Sequence, residues 1–421
     1  MSTPHVLDDL QWRGLVAHST DLDALRAALD GGSVKYYVGF DPTAPSLHMG
    51  NLVQILTAVR LQRAGHTPFA LVGGATGMIG DPRDSGERTL NTAETVTEWV
   101  ARVRSQIEPF LAFEGENAAT LVNNLDWTGG LSTIDFLRDI GKHFPVNRML
   151  ARDTVKRRLE SGISYTEFSY VLLQSMDYLN LHRDHGVTLQ FGGSDQWGNL
   201  TGGVDLVRRV TGAGVHAFAT PLVTKADGTK YGKTEGGALW LDPEMMSPYA
   251  FHQFWLNVED EKVVELLKIF TFLSHEEITE LEAVTAEKPF LRTAQKALAD
   301  AVTTIVHGEA ETEAAKQAAA ALFGGGELTG LNLATLDAAL AETGGAVVDA
   351  GEIPTVTDLL VLSGLARSKG EARRTIGEGG AYLNNERVTD PEQVPGADDL
   401  LAGAWLVLRR GKKNIAGVKA S

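Results

Sequence analysis

The sequence predicts an α/β protein in which a parallel-sheet domain comes first, a helical domain follows and a small α+β domain comes last. Over the first ~220 residues, apolar runs of strand length alternate with helical patterns, and the strand-like runs end in glycine-rich loops. Between about Met245 and Leu322, apolar residues recur every three or four positions, which predicts helices. Because open parallel sheets bind ligands at the carboxyl ends of their strands, we expect the functional residues near those loops.

The first strand–turn–helix unit carries the most informative motif. An apolar run from Val34 to Phe40 predicts a buried strand, and apolar residues at helical spacing predict a helix that starts near Asn51. The turn between them contains His48-x-Gly50. Gly50 lets a ligand approach the backbone closely, a helix N-terminus favours phosphate, and His48 can donate to a phosphoryl oxygen. The motif favours nucleotide chemistry, and a capped turn with an incidental histidine is the alternative.

Two later strand-like runs have the same arrangement. One starts at Phe69 and leads into a glycine-rich loop that reaches Asp81-Pro82, and the other, 187–191, leads into Gly192-Gly-Ser-Asp195. The Gly-x-Gly-x-x-Gly fingerprint and the full Walker spacing are both absent from the sequence, which disfavours a dinucleotide-binding or P-loop protein.

A lysine-rich loop follows about 180 residues after His48, and it stands out because the chain has a net charge of −16. It reads Lys225-Ala-Asp-Gly-Thr-Lys230-Tyr-Gly-Lys233-Thr234. Lysine ammonium groups on a glycine-containing loop can close over a polyphosphate. A solvated surface loop is the alternative interpretation.

Composition suggests four segments along the chain. We predict an α/β domain over 1–225, a mobile lysine loop and helical domain over 226–322, a flexible acidic linker over 323–352 and a small domain over 353–421. The linker is predicted because its neighbourhood is rich in Ala, Gly and acidic residues.

Charge is distributed unevenly between these segments. Residues 351–421 carry 10 Lys and Arg against 9 Asp and Glu, a net of +1, so the rest of the chain holds all of the acidic excess. The cations of this tail form two clusters that we interpret as RNA-binding: Arg367, Lys369, Arg373 and Arg374, and then Arg409, Arg410, Lys412 and Lys413. Such clusters are typical of surfaces that contact RNA phosphates, with a solvated face as the alternative.

Bulk composition excludes several classes of protein. The chain has 421 residues, 43% of them hydrophobic, which suggests two or three globular domains. No apolar run approaches the roughly 18 residues that span a bilayer, and no secretory signal is visible at the N-terminus. The chain has no cysteine, which excludes disulfides, thiolate catalysis and cysteine-ligated zinc. We therefore expect a cytoplasmic enzyme.

Taken together, the His-x-Gly turn and the lysine loop resemble the two signature motifs of the class I aminoacyl-tRNA synthetases. The stretches 165–177 and 190–199, which read YTEFSYVLLQSMD and QFGGSDQWGN, are similar to the bacterial tyrosine-specific branch of that family. The tail from about Pro354 resembles a small RNA-binding module first described in a ribosomal protein. The resemblance implies a Rossmann-like catalytic domain over 1–225, tRNA contacts by the helical domain over 226–322 and tRNA binding by the cations of the tail. It also implies a homodimer, and L-tyrosine, ATP with Mg²⁺ and the tRNA for tyrosine as partners.

The resemblance also implies a role for individual residues. Those expected to hold the ATP phosphates as catalytic residues are Thr43, His48, Lys230, Lys233 and Thr234. Those expected to bind ATP or the adenylate are Gly39, Asp41, His48, Gly50, Asn51, Gly193, Asp195, Gln196 and Lys233. Those expected to bind tyrosine are Tyr37, Asp81, Asn123, Tyr170, Gln174, Asp177 and Gln190. No metal ligand is expected among the side chains, and spacing alone places Tyr170, Gln174 and Asp177 on one face of a helix.

Three positions depart from the commoner pattern of the family. Val38 stands where other members can carry a polar or thiol residue, Asn51 replaces a histidine but keeps a donor, and the loop Arg83–Arg88 lacks lysines that some relatives use. Three other functions stay open from the sequence: the tryptophan-specific sister enzyme, an RNA-binding scaffold on a synthetase fold, and another adenylyltransferase. The Tyr37 and Asp177 pair argues against the tryptophan enzyme, because an indole does not match these partners of a phenol.

Overall fold

The computed structural model describes residues 4–82, 90–160, 162–224, 231, 233–234, 237–324, 328, 331, 333–341, 343, 345–411 and 414–421. These residues belong to two compact units, each formed from two chain segments. The first unit comprises Met1–Asp242 and Val264–Ile278, and the second comprises Pro243–Val263 and Thr279–Ser421.

The first unit is built on a mainly parallel sheet. The strands of this sheet are β1 (His18–Ser19), β2 (Lys35–Phe40), β3 (Thr67–Val72), β4 (Thr120–Asn123), β5 (Leu189–Gly193) and β6 (His216–Thr220). Two further strands, β7 (Lys233–Thr234) and β8 (Gly237–Ala238), form a separate antiparallel ribbon. Among the described residues, the sheet has the order β1-β6-β5-β2-β3-β4, with β1 antiparallel at one edge. The order reverses between β2 and β5, and such a reversal leaves a crevice at the carboxyl ends of the strands, where ligands bind.

Helices connect these strands and pack against them. They are α1 (Val6–Trp12), α2 (Leu22–Asp30), α3 (Met49–Arg63), α4 (Thr76–Ile79), α5 (Ala93–Ile107), α6 (Leu125–Thr128), α7 (Thr133–Asp135), α8 (Val146–Leu150), α9 (Asp153–Leu159), α10 (Tyr165–His185) and α11 (Trp197–Thr211). The long helix α10 has clear sequence signals at both ends: the Ser164 hydroxyl accepts from the Glu167 amide at its start, and Gly186 ends it with a left-handed φ of 71°.

The predicted elements around the His-x-Gly turn are confirmed. The expected strand Val34–Phe40 is β2, and the expected helix is α3, which begins two residues earlier than predicted. The strand-like runs at Phe69 and 187–191 are β3 and β5.

The second unit contains helices followed by a mixed sheet. Its helices are α12 (Pro248–Leu256), α13 (Asp260–Phe270), α14 (His275–Glu287), α15 (Thr293–His307), α16 (Glu309–Gly324), α17 (Leu333–Ala341), α18 (Val356–Leu362) and α19 (Lys369–Gly377). Helices α13 and α14 each have residues in both units. Its strands are β9 (Gly345–Val348), β10 (Ala381–Leu383), β11 (Glu386–Arg387), β12 (Trp405–Arg410) and β13 (Asn414–Ala420). Among the described residues, the sheet order is β11-β10-β12-β13-β9.

The prediction of a flexible linker over 323–352 is wrong for much of that segment. Helix α17 and strand β9 both lie within it, and β9 pairs in parallel with β13, more than 60 residues later in the sequence. Leu336 and Leu340 of α17 share a hydrophobic core with Trp405 of β12 and Leu322 of α16. The small residues of this segment therefore pack in a core. The helical part and the C-terminal sheet form one unit.

Two arginines of the first unit hold the carboxyl end of α13. The Arg13 guanidinium donates to the carbonyls of Lys268 (3.0 Å) and Leu273 (2.8 Å), and Arg60 Nη2 donates to that of Thr271 (2.6 Å). Both arginines are buried, and burial lowers the pKa of Arg60 to about 9. Unpaired carbonyls at a helix end carry partial negative charge, so they are suitable partners for buried cations.

In the part of the chain that the structure describes, no helix combines the length and apolar character needed to cross a bilayer.

Candidate active site

Tyr37 and Gln190 occupy the crevice where the strand order reverses. They are paired neighbours in the register of β2 and β5, and both are buried. The Tyr37 hydroxyl and Gln190 Oε1 have no hydrogen-bond partner among the described residues. Because buried polar atoms are almost always bonded, these two atoms indicate a ligand that supplies the missing partners.

Asp177 provides a buried carboxylate beside this pair. Asn124 Nδ2 donates to its Oδ2 (3.1 Å), and Trp127 Nε1 donates to its Oδ1 (2.9 Å). Burial raises the pKa of Asp177 to about 8, although these two hydrogen bonds lower it. Burial also raises the pKa of the Tyr37 phenol, and the nearby charge of Asp177 adds to that effect. The arrangement offers both an acceptor and a donor to a ligand hydroxyl.

The two neighbouring asparagines at the end of β4 have different contacts. Asn123, which the sequence predicts as a tyrosine-binding residue, accepts from the backbone amides of Gly74 (3.2 Å) and Leu125 (3.0 Å). Asn124 is the one that reaches Asp177, and sequence reasoning missed both it and Trp127. Neither lies in a periodic pattern, so only the structure reveals their contact with α10.

The predicted stripe of α10 forms one side of the crevice. Tyr170 and Asp177 are buried and Gln174 is half-buried, in agreement with one helical face. The Tyr170 hydroxyl donates to Asp41 Oδ2, and the Thr76 hydroxyl donates to Asp41 Oδ1 (2.6 Å). Asp41, which follows β2, is therefore held on both oxygens.

Asp81 is the second carboxylate that the structure holds by amide groups. Gln196 Nε2 donates to its Oδ2 (2.8 Å), and Asn199 Nδ2 donates to its Oδ1 (3.2 Å). Burial raises the pKa of Asp81 to about 6, and these hydrogen bonds oppose the shift. Asn199 also donates to Gln196 Oε1 (2.8 Å), so it orients both residues, and the sequence analysis missed this role.

His48 caps the N-terminus of α3, the arrangement given above as the alternative to a phosphate-binding role. Its Nδ1 accepts from the Gly50 amide (3.0 Å), and Asn51 Oδ1 accepts from the His48 amide (3.1 Å), which completes a capping box. Because Nδ1 accepts a hydrogen bond, the proton of the neutral ring lies on Nε2, which is a donor. A Cβ at position 50 would lie 2.9 Å from His48 Cε1, so this turn requires glycine.

The His48 turn is joined to the segment that follows the lysine loop. A backbone bridge pairs His48 with Trp240, and the Met49 amide donates to the Leu239 carbonyl (3.0 Å). In the ribbon just before this segment, β7 pairs Lys233 with Ala238. The structure thus brings Leu239 and Trp240, which follow the lysine loop in sequence, to the first motif. Lys230 and the loop Arg83–Arg88 lie outside the described residues.

The other predicted nucleotide-binding residues line the strand ends. Gly39, Thr43 and Asp195 are exposed, and Gly193 and Gln196 are half-buried. A Cβ at Gly193 would lie 2.6 Å from Asp195 Oδ1, so glycine lets that carboxylate approach the backbone.

The predicted tRNA-binding cations of the tail are less uniform than the sequence suggests. Arg367 and Arg374 are exposed, and Lys369 and Arg373 are exposed but paired with Asp358 and Glu392. Arg410 bonds Glu371 and the Leu365 carbonyl. Arg409 is buried in β12 and donates to Asn385 (3.0 Å), so the prediction that it faces RNA phosphates is wrong. Lys412 and Lys413 lie outside the described residues.

Comparison with known proteins identifies the family of this chain. A family model described as class I tRNA synthetases (W and Y) matches residues 29–324, and a model of the tyrosine–tRNA ligase SYY-like C-terminal domain matches 342–417. The chain belongs to the class I tRNA synthetases. Among the relatives of this synthetase are the tyrosine–tRNA ligases of Streptomyces coelicolor, 63% identical, and Mycobacterium tuberculosis, 60% identical, each over 98% of both chains.

Solved structures of synthetases are similar to about three quarters of the chain. A C-terminally truncated mitochondrial tyrosyl-tRNA synthetase of Aspergillus nidulans is 30% identical, with a TM-score of 0.69 over 76% of this chain and 95% of that one. A tryptophanyl-tRNA synthetase of Encephalitozoon cuniculi, 11% identical, shares the fold with a TM-score of 0.54 over 73% of this chain and 87% of that one.

Proposed function

We propose that the crevice between β2 and β5 is where this class I enzyme, a tyrosine–tRNA ligase, forms tyrosyl-adenylate. The observation that carries the proposal is the buried, unpaired Tyr37 hydroxyl beside the Asp177 carboxylate. A phenolic hydroxyl satisfies both groups, because it donates to the carboxylate and accepts from Tyr37. Phenylalanine lacks that hydroxyl and would leave buried polar groups unpaired, which is the physical basis of selection against it.

The proposed reaction has two steps. The carboxylate of tyrosine attacks the α-phosphate of ATP and releases pyrophosphate, and the tyrosyl group then passes to the 3′-terminal ribose of tRNA. The nucleophile is already ionised, so alignment and charge stabilisation supply the catalysis and a general base is not required. In this scheme His48 Nε2–H and the N-terminus of α3 hold phosphate oxygens.

The lysine loop and the magnesium ion complete the proposed phosphate site. Lys230, Lys233 and Thr234 are assigned to the phosphates by the family resemblance, and their roles stay predictions. Mg²⁺ is proposed to arrive with ATP, since phosphate oxygens and water are its usual ligands. In the described part of the chain, no group of three or more His, Asp or Glu side chains is arranged to hold a metal ion.

Amino-acid-dependent pyrophosphate exchange with all twenty amino acids tests this function. We expect ATP–pyrophosphate exchange with L-tyrosine alone at micromolar concentrations. Exchange driven by tryptophan would instead assign the crevice to the sister enzyme, and the absence of exchange with any amino acid would favour a scaffold protein.

Asp81 should make tyrosine binding depend on pH. We propose that its carboxylate pairs with the α-ammonium group, which needs the ionised form. Its pKa is raised to about 6 in the free protein, so the KM for tyrosine should increase as the pH falls through 6. The KM is measured by pyrophosphate exchange between pH 5 and 8. Asp81→Asn should bind tyrosine more weakly at every pH without this dependence, and a flat profile for the unsubstituted enzyme would contradict the assignment.

We infer a homodimer from an apolar surface on the first unit. The sequence suggests the region 128–150, and the structure divides its apolar residues: Leu131, Phe136 and Phe144 pack against the core, whereas Ile134 and Leu137 are exposed. Val146 and Tyr165 are also exposed, at 60% and 66%, and Ile134 is exposed at 68%. Several large apolar side chains exposed on one region of sequence are typical of an interface between subunits.

Charge at this surface should dissociate the dimer. Ile134→Asp combined with Val146→Asp should give a ~45 kDa monomer in light scattering at micromolar concentration, because burying two carboxylates in an apolar interface is costly. Phe290→Asp is the control, since Phe290 is even more exposed, at 78%, but lies in the second unit. A monomeric enzyme without substitutions would remove this proposal.

A further inference from the structure

A chain of hydrogen bonds joins the two carboxylates Asp177 and Asp41. Asn124 Nδ2 donates to Asp177 Oδ2 (3.1 Å) and to Thr76 Oγ1 (2.9 Å), and the Thr76 hydroxyl in turn donates to Asp41 Oδ1 (2.6 Å). The bridge therefore runs from the residue assigned to the phenol of tyrosine to a residue assigned to the adenylate. Neither Thr76 nor Asn124 belongs to the sites that the family resemblance assigns.

Each donor hydrogen in this bridge points to one acceptor. Asn124 Oδ1 accepts from the Ala75 amide (2.8 Å), which fixes the orientation of its amide group and turns both Nδ2 hydrogens toward the bridge. Thr76 uses its one hydrogen toward Asp41 and its lone pair toward Asn124. Asn124 is 0% exposed and Thr76 is 2% exposed, so water does not compete for these bonds.

The absence of a side chain at Gly73 leaves room for this arrangement. A Cβ on Gly73 would lie 2.0 Å from Asp41 Oδ1 and 2.3 Å from Thr76 Oγ1, which no side chain permits. Glycine at 73 therefore allows the Thr76 hydroxyl and the Asp41 carboxylate to meet directly above the end of β3. The Tyr170 hydroxyl holds the other oxygen of Asp41.

We propose that Thr76 is a positioning residue that couples recognition of the phenol to formation of the adenylate. The proposal rests on the function proposed above for the crevice. Asn124 is shared between Asp177 and Thr76, so the carboxylate assigned to the phenol and the Asp41 carboxylate assigned to the adenylate are held by one connected set of hydrogen bonds, and a change at either end shifts the other through Thr76. Thr76 itself contacts no substrate in this scheme.

Substitutions at Thr76 test the coupling. Thr76→Val has nearly the same shape but removes the hydroxyl, and it should lower the kcat of tyrosine-dependent pyrophosphate exchange about tenfold while the KM for tyrosine changes less than about threefold. Thr76→Ser keeps the hydroxyl and should restore kcat to within about threefold of the unsubstituted enzyme. If Thr76→Val does not fold, Thr76→Ala should give the same pattern.

A double-mutant cycle separates coupling from a local defect. In combination with Asp177→Asn, Thr76→Val should cost less than it does alone, because the bridge is already weakened. Strictly additive effects, an unchanged kcat in Thr76→Val, or an equal loss in Thr76→Ser would each overturn the proposal. A different result would contradict the function proposed for the crevice: an Asp177 variant would retain its preference for tyrosine over phenylalanine.

Discussion

Replacing Asp177 with Ala is expected to reduce the preference for tyrosine over phenylalanine by about one to two orders of magnitude, since leaving a buried hydroxyl without its hydrogen-bond partner costs about 1–3 kcal/mol. The loss should fall on tyrosine, whose hydroxyl loses its acceptor, whereas phenylalanine never used it. Pyrophosphate exchange measured with both amino acids gives the ratio of the two kcat/KM values. An unchanged ratio would assign phenol recognition to another residue.

Asp177→Asn is the control for structural damage. Alanine also leaves Asn124 Nδ2 and Trp127 Nε1 without their acceptor, whereas Asn keeps the size of the side chain and one acceptor oxygen. The pKa of Asp177 is about 8 in the folded chain, above the ordinary 3.8, so its contribution to stability is lost as the pH rises from 4 to 8. Asp177→Asn should therefore gain stability relative to the unsubstituted protein over that pH range, as measured by thermal unfolding.

Deleting residues 325–421 is expected to leave tyrosyl-adenylate formation nearly intact and to reduce tRNA charging steeply. The residues proposed for adenylation belong to the first unit, whereas the exposed cations Arg367 and Arg374 belong to the tail. A cut at 350 would leave β9 without β13 and α17 without β12, so the deletion starts directly after α16 and removes all four elements. It still uncovers the face of α16 that packs against α17 and β12. Exchange and charging are measured on the same preparation.

Substitutions in the full-length protein control for the loss of structure in this deletion. Arg367→Gln with Arg374→Gln should weaken charging and flatten its dependence on salt, because phosphate contacts release counterions. Arg409→Gln should act mainly on stability, since Arg409 is buried and bonded to Asn385. A deletion variant that charges tRNA normally would exclude the tail as a tRNA-binding module.

The sequence predicted those parts of the site that depend on local pattern. The turn from β2 into α3 follows from an apolar run, a His-x-Gly turn and helical spacing, and the stripe Tyr170, Gln174 and Asp177 follows from the helical period alone. Asn124 and Asn199 could not be found in this way, because each matters through a carboxylate distant in the sequence that only folding brings near.

The errors have the same physical origin. Segment 323–352 has the composition of a linker, but β9 within it gains its partner from β13, and no local pattern shows that long-range pairing. Arg409 sits in a basic cluster by sequence, but the pairing of β12 between β10 and β13 places it inside the fold. Charge clusters in a sequence indicate a surface only if the strand that carries them has an exposed face.

The return of Val264–Ile278 to the first unit limits how this enzyme can be divided into fragments. A fragment that ends at Asp242 would contain every residue proposed for adenylation among the described ones, yet it would lack the carbonyls that Arg13 and Arg60 use. Two buried guanidinium groups would then have lost those acceptors, which is strongly destabilising. The smallest autonomous catalytic fragment therefore extends to Ile278, with the 21 residues of Pro243–Val263 retained as a tether or replaced by a designed loop.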